Sequence, residues 1–125
     1  DIIKVLNKIK YPYNVNGLTI RKAHEMIQKN SIKEQAISTI IQERKKMNKA
    51  LKKIGGVREV FPSEANFLLV RFEKALDLFN FLKDKHIIIR DRTREKHCHD
   101  CLRITIGTPQ ENIRLLEEIN NFYNK

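Results

Sequence analysis

Apolar residues recur at helical spacing through the first half of the chain. Residues 1–10 predict the end of one helix, and the Pro, Asn and Gly residues between 11 and 17 predict a turn after it. Helical spacing returns at Leu18 and continues to Gly55-Gly56, where the paired glycines predict the end of the helical stretch. The stripe expected to be buried in its later part consists of Ala36, Ile40, Met47, Leu51 and Ile54.

A break between two helices is expected inside this stretch, at Asn30-Ser31. Ser31 is a suitable N-cap, and Glu34 three residues later would complete a capping box with it. The face opposite the apolar stripe is expected to be solvated. It consists of Lys33, Glu34, Arg44, Lys45, Lys49 and Lys52.

The second half of the chain alternates between strand and helix patterns. Short runs rich in β-branched and aromatic residues predict strands at 57–61, 66–72, 87–90 and 102–106, and helical spacing predicts helices at 73–85 and 108–123. Thr108, Pro109 and Glu111 are the N-cap, first helical residue and capping-box partner expected for the last helix. This order predicts an α+β fold, with long N-terminal helices followed by a small, mainly antiparallel sheet that has helices packed on one face.

The apolar positions of the two later helices predict their buried faces. In the helix over 73–85 these positions are Ala75, Leu76, Leu78, Phe79 and Leu82. In the last helix they are Ile113, Leu116, Ile119 and Phe122.

Composition and charge narrow the class of protein. The 125 residues are 41% hydrophobic and 32% charged, which is ordinary for one globular domain. The net charge of +10 is concentrated at the start, because residues 1–55 carry 13 basic and 4 acidic side chains, whereas residues 56–125 carry 12 and 11. A basic helix face is the simplest cause. Because aromatic residues are nearly absent from it, no nucleic-acid partner is expected.

Neither a leader nor a membrane segment is expected from the sequence. No run approaches the roughly 18 apolar residues that a membrane helix needs, so no membrane partner is expected. Two cysteines do not make a secreted disulfide scaffold, and a cytoplasmic location is therefore predicted. The chain opens in mid-helix without an initiator Met, which predicts that it belongs to a longer polypeptide.

Two arginines are candidates for binding an anion. Strand alternation places Arg103 on the face opposite the apolar positions of 102–106, where a rigid guanidinium can bind a carboxylate or phosphate with two hydrogen bonds. Arg90, at the end of the preceding strand, would add a second cation. The alternative is that both are solvated strand residues paired with Asp91 or Glu73.

The segment His97-Cys98-His99-Asp100-Cys101 has the ligand types of a structural zinc site or a redox pair. A second half-site is missing, since His24 and His86 are the other histidines and no second CxxC follows. No metal is therefore expected, and the thiols are interpreted as incidental residues of a loop. A cysteine nucleophile paired with His97 or His99 is expected even less.

Several segments together resemble the C-terminal part of the histidinol-phosphate aminotransferase family, within the fold-type I aminotransferases. The resemblance covers almost the whole chain. Its segments are Pro12-Tyr13-Asn14-Val15-Asn16, Pro62-Ser63-Glu64-Ala65-Asn66-Phe67, Ile88-Ile89-Arg90-Asp91 and Cys101-Leu102-Arg103-Ile104-Thr105-Ile106-Gly107-Thr108.

The resemblance implies a pyridoxal-phosphate enzyme of histidine biosynthesis, acting as a homodimer. It would move an amino group between glutamate and imidazole-acetol phosphate, giving 2-oxoglutarate and histidinol phosphate. Arg103 matches the family's arginine for an acidic group of the substrate, and Arg90 matches a second arginine for the anionic end of the substrate. Asn14 and Asn66 are expected to serve turns and the crossing between domains.

The resemblance also implies that this chain is a fragment. Residues 1–17 would end a large-domain helix and cross to a C-terminal small domain at 18–125. The family's Schiff-base lysine lies in the large domain, as do its other cofactor-binding residues. No catalytic residue is therefore expected here, and the chain alone is predicted to be inactive. The alternative function is a stand-alone basic module that binds RNA or an acidic protein.

Overall fold

A computed structural model of the protein describes residues 1–10 and 15–124. Within these ranges the helices are α1 (Ile2–Ile9), α2 (Gly17–Gln28), α3 (Asn30–Leu51), α4 (Ala75–Asp84) and α5 (Pro109–Tyr123). The strands are β1 (Val57–Val60), β2 (Phe67–Phe72), β3 (Arg90–Asp91) and β4 (Cys101–Thr105). The turn predicted at Pro12 and the role predicted for Asn14 lie outside the described residues.

The chain divides into two compact units, Asp1–Gln35 and Ala36–Lys125. In the first unit every described side chain is exposed. The predicted domain division at residue 17 concerns a longer enzyme and stays a prediction.

The helix break in the first unit falls one residue earlier than expected. Lys29 leaves the helical conformation, with φ −88° and ψ 68°, and its carbonyl accepts a hydrogen bond from Lys33 N at 3.3 Å. Ser31 therefore lies inside α3, and the predicted Ser31–Glu34 capping box is wrong. The cap was assigned from residue type alone, whereas the backbone turns at a lysine that has no capping side chain.

The second unit contains the sheet. Among the described residues its strand order is β1-β2-β4-β3, and every neighbouring pair is antiparallel. This confirms the predicted α+β fold with a small antiparallel sheet. On β4, Leu102 and Ile104 are fully buried while Thr105 is exposed, so the predicted alternation is also confirmed.

The core lies between one face of the sheet and helices α3, α4 and α5. Its helical residues include Met47, Leu51, Leu78, Leu82, Leu115 and Ile119. Three predicted core positions are wrong, because Ala36 is exposed and Leu76 and Ile113 are more than half exposed. The buried residues of α5 are Asn112, Leu115 and Ile119, because the helix face that contains them points toward the sheet.

The strand predicted at 87–90 is much shorter than expected. His86 has a positive φ of 58°, and Ile87 N donates to Leu82 O at 2.9 Å, so these residues close the end of α4. Pairing with β4 begins at Arg90, and Ile88 is 78% exposed.

The end of α5 docks on the turn that follows α3. The Tyr123 hydroxyl donates to the carbonyl oxygen of Glu73, and its ring lies against Gly56, which has φ +81°. Burial raises the pKa of the Tyr123 phenol, so the donor stays protonated. The C-terminal helix is thereby tied to the first strand of the sheet.

Candidate functional site

The sheet face that does not carry the core presents a row of side chains from β4. Cys101, Arg103 and Thr105 share this face by strand alternation. Arg103 pairs with Leu69 on β2 and with Arg90 on β3. The structure therefore brings the two predicted site residues together on adjacent strands.

The Arg103 guanidinium is held in place but lacks a complete set of partners. Its central carbon lies 5.2 Å from the centre of the Phe67 ring, a cation–π distance. Its Nε is buried, and within the described residues it has no hydrogen-bond partner. A buried N–H without an acceptor costs about 1–3 kcal/mol. A bound water or anion is one way in which such a donor is satisfied.

Arg71, on the same face, is an arginine whose guanidinium has partners within the protein. Its Nη1 lies 2.6 Å from Glu59 Oε2, its Nε donates to His99 O at 3.2 Å, and its guanidinium lies 5.0 Å from the Phe61 ring centre. Arg103 differs from Arg71 because its Nε has no acceptor among the described residues.

The acidic partners considered for the two arginines are engaged elsewhere. Asp91 Oδ1 accepts from Thr93 N at 2.8 Å, and this hydrogen bond holds the pKa of Asp91 below its usual range. Glu73 lies 3.6 Å from Arg58. Opposed like charges on neighbouring strands are destabilising, so the Arg90–Arg103 pair favours an anion between or above the two cations.

A groove of about 560 Å³ runs beside this pair. Its lining residues are Phe79, Ile88, Ile89, Arg90, Asp91, Arg103 and Thr105. Arg90 and Arg103 are its cations, Phe79, Ile88 and Ile89 are its apolar residues, and Asp91 and Thr105 add a carboxylate and a hydroxyl group. Such a groove suits a small anion that carries an apolar body.

The chain after β4 is fixed by a buried amide. Asn112 Oδ1 accepts from Gly107 N at 3.0 Å, and Asn112 Nδ2 donates both to Gly107 O at 3.1 Å and to Glu43 Oε2 at 3.0 Å. Hydrogen bonds from Lys46 and then from Asn112 hold the pKa of Glu43 below its usual range. The residues after Thr105 are therefore anchored to α5 and, through Glu43, to α3.

The turn before β2 supports the same end of β4. Ser63 Oγ donates to Phe67 O at 2.6 Å and accepts from Ala65 N at 3.1 Å. Asn66 O accepts from Ile106 N at 2.9 Å. Asn66 thus acts here through its backbone; its predicted role in crossing between domains stays a prediction.

Arg44 is not part of the solvated basic face. It is 9% exposed, and its guanidinium donates to Ala65 O at 2.6 Å and to Glu64 Oε2 at 3.2 Å. The prediction that Arg44 is solvated is therefore wrong, because the turn at 62–65 folds back onto α3. Lys45 and Lys49 are exposed as expected.

The histidine and cysteine loop has no metal geometry. Across the described part of the chain, no group of three or more His, Cys, Asp or Glu side chains is placed to hold a metal ion. On the surface, His99 Nδ1 lies 2.8 Å from Asp100 Oδ2. This ring nitrogen therefore contacts a carboxylate and not a cysteine thiol. Cys98 is half-buried, Cys101 is fully buried, and both are free thiols.

Two further observations bear on the class of protein. Every described lysine is exposed, so none lies in the buried environment typical of a Schiff-base lysine. None of the helices seen in residues 1–10 and 15–124 is both long enough and apolar enough to cross a membrane.

Sequence and structure comparisons identify the family. A family model for class I and II aminotransferases matches residues 1–119. The chain is 46% identical over 121 residues to the histidinol-phosphate aminotransferase of Parabacteroides distasonis, covering 97% of this chain and 35% of that protein. It is 43% identical over 118 residues to that of Flavobacterium johnsoniae, covering 94% of this chain and 34% of that protein.

A solved structure supports the same assignment. The histidinol-phosphate aminotransferase of Clostridium acetobutylicum superimposes with a TM-score of 0.80 at 26% identity, covering 98% of this chain and 38% of that one. The chain thus spans about a third of the length of the curated relatives it matches. On this combined evidence of sequence and fold, the chain belongs to the class I and II aminotransferase family.

Proposed function

We propose that this chain is the part of a histidinol-phosphate aminotransferase that holds the anionic group of the substrate through Arg103 and Arg90. The observation that carries the proposal is the buried Arg103 Nε, which lacks a hydrogen-bond acceptor among the described residues beside a groove. The names of the matched relatives supply the substrate class.

The proposed reaction transfers the amino group of glutamate to imidazole-acetol phosphate, giving 2-oxoglutarate and histidinol phosphate. Every one of these molecules carries a carboxylate or a phosphate. A planar guanidinium donates two parallel hydrogen bonds to either anion, so one fixed pair of arginines serves both half-reactions. Phe67 and the β4 backbone restrict Arg103, which reduces the entropy lost when the anion binds.

The anionic group of the substrate would be fixed at one side of the groove, and the apolar part of the substrate at the other. Ile88, Ile89 and Phe79 form the apolar wall of the groove. A substrate held at both ends has one preferred orientation, and this orientation is what the arginine pair contributes to catalysis.

Pyridoxal phosphate does not fit the residues described here. Its Schiff base needs a lysine with a lowered pKa, and every described lysine is exposed. We assign the cofactor to the part of the enzyme that corresponds to the other two-thirds of the relatives' length. A homodimeric, cytoplasmic parent enzyme and inactivity of the isolated chain belong to the same proposal.

The test measures anion binding by the 125-residue chain. Binding of inorganic phosphate or glutamate is measured by isothermal titration calorimetry for the wild type and for Arg103→Lys. In the wild type, the Nε–H signal of Arg103 is also followed by NMR during the titration. The lysine keeps the positive charge but loses the paired donors. Because hydrogen bonds to charged groups contribute about 1.5–3 kcal/mol, we expect Arg103→Lys to weaken binding at least ~10-fold.

The matched control is Arg58→Lys. Arg58 is exposed, pairs with Glu73 and lies outside the groove, so this variant is expected to bind within about twofold of the wild type by the small value of surface pairs. Equal losses in both variants would mean that binding reflects general positive charge, and the proposal would be wrong. Transaminase turnover by the isolated chain would contradict the assignment of the cofactor site.

A further inference from the structure

Two cysteines lie in a tight turn directly before β4. Cys101 N donates to Cys98 O at 2.9 Å, which closes a four-residue turn, and Asp100 within it has φ +58°. The end Cα atoms of a β-turn lie within about 7 Å of each other. Disulfides form across Cα separations of about 4.4–6.8 Å, so a turn of this kind is compatible with the backbone spacing that a Cys98–Cys101 disulfide requires.

The two thiols have different surroundings. Cys98 is half-buried and reachable from solvent, whereas Cys101 is fully buried. Burial raises the pKa of the Cys101 thiol, while the neighbouring Arg71 guanidinium opposes this effect. Arg71 also donates to His99 O, inside the turn, at 3.2 Å. An oxidant therefore meets Cys98 first, and Cys101 is the second, resolving thiol.

The turn leads directly into the sheet face that carries Arg103. Cys101 lies two residues before Arg103 on the same side of β4, and its carbonyl accepts from Arg92 N at 3.1 Å. That bond is adjacent to the paired residues Asp91 and Leu102 at the edge of the sheet. A covalent change at Cys101 thus occurs next to the groove that Arg90 and Arg103 line.

We propose that Cys98 and Cys101 form a reversible intramolecular disulfide when the protein meets a peroxide. The Cys98 thiolate attacks one peroxide oxygen, the O–O bond breaks, and Cys98 becomes a sulfenic acid as water or an alcohol leaves. The Cys101 sulfur then attacks the Cys98 sulfur, the S–S bond forms, and the sulfenic oxygen leaves as water with the thiol proton. Two electrons pass from the two thiols to the peroxide, and a small dithiol returns them.

The proposal does not depend on the aminotransferase reaction, since it concerns thiols that the anion site does not use. It also fits the observation that cysteine pairs in reducing compartments serve transient redox chemistry more often than structural cross-linking.

The experiment treats the folded, reduced 125-residue chain with hydrogen peroxide at low protein concentration. Free thiols are then alkylated in denaturant, and tryptic peptides are analysed by mass spectrometry. Cleavage after Lys96 and Arg103 releases one peptide that contains both cysteines. We expect this peptide to lose two hydrogen atoms and to carry no alkyl group, and dithiothreitol to restore both alkylation sites.

Cys98→Ser is the control, and Cys98→Ala is the second variant at the same half-exposed position. Both are expected to keep the wild-type far-UV circular dichroism and to leave Cys101 fully alkylated after peroxide. The proposal is overturned if wild-type Cys98 gains two or three oxygens while Cys101 remains alkylated. It is equally overturned if both wild-type thiols stay free or if the cross-link joins two chains.

Discussion

Replacing Gly56 with alanine tests the docking of the C-terminal helix. Gly56 has φ +81°, a conformation that costs an L-residue about 1–2 kcal/mol. A methyl group at this position would overlap the ring of Tyr123. The Tyr123 ring is not free to yield, because its hydroxyl donates to Glu73 O and its edge packs on Phe122 at a centroid distance of 4.9 Å.

The expected loss follows from these contacts. Displacing Tyr123 removes a hydrogen bond that contributes about 1 kcal/mol and an aromatic pair that contributes about 0.5–1.5 kcal/mol. With the backbone strain, Gly56→Ala should lower the free energy of unfolding by about 3–4 kcal/mol, out of the roughly 5–15 kcal/mol of an ordinary domain. For a chain of this length the melting temperature should fall by roughly 10–15 °C.

The assay is urea and thermal unfolding followed by circular dichroism. Gly55→Ala is the matched control, because a Cβ at Gly55 meets no atom within 4 Å. We expect Gly55→Ala to change the free energy of unfolding by less than about 1 kcal/mol. If the two variants are equally stable, Tyr123 does not occupy the space beside Gly56 and the reasoning fails.

The remaining predictions concern two buried polar residues of α3. Because the folded pKa of Glu43 lies below its ordinary value of 4.5, its contribution to stability is present above that pH and is lost as the pH falls through the folded pKa. Glu43→Gln removes the ion pair with Lys46 and should therefore be less stable than the wild type at pH 7. The difference in unfolding free energy should shrink in acid. A difference in urea unfolding that does not depend on pH would contradict this. Arg44→Ala should cost about 1.5–3 kcal/mol by leaving Ala65 O without its donor, whereas the exposed neighbour Lys45→Ala should change the unfolding free energy by less than about 0.5 kcal/mol. Equal effects of the two substitutions would show that Arg44 is solvated.

The positions of the two candidate arginines were partly predictable from the sequence. Strand alternation alone puts Arg103 outside the core, and the order of strands puts Arg90 nearby. The antiparallel register that sets Arg90 directly opposite Arg103 depends on how two strands pair across a loop of nine residues. That the Nε of Arg103 has no acceptor within residues 1–10 and 15–124 depends in turn on where Glu73 and Asp91 find their own partners.

The buried hydrogen bonds around those strands could not be predicted. Asn112 and Glu43 are polar residues on helices, 69 positions apart, and each looks solvent-exposed in a helical pattern. They are buried because each satisfies the hydrogen-bonding groups of the other. Arg44 is buried for the same reason, because its guanidinium donates to the carbonyl oxygen of Ala65 in the turn. No local signal distinguishes these residues from the exposed lysines beside them.

What the sequence determined by itself is therefore local. Thr108, Pro109 and Glu111 specify the start of α5 because a capping box closes within four residues, and the Thr108 hydroxyl indeed accepts from Glu111 N. The alternation of β4 likewise needs only neighbouring residues. The tertiary structure alone decided which polar groups are buried together and which arginine is left with an open donor. A hydrogen bond between distant segments exists only after the chain has brought them within about 3 Å, and that distance is a property of the whole fold.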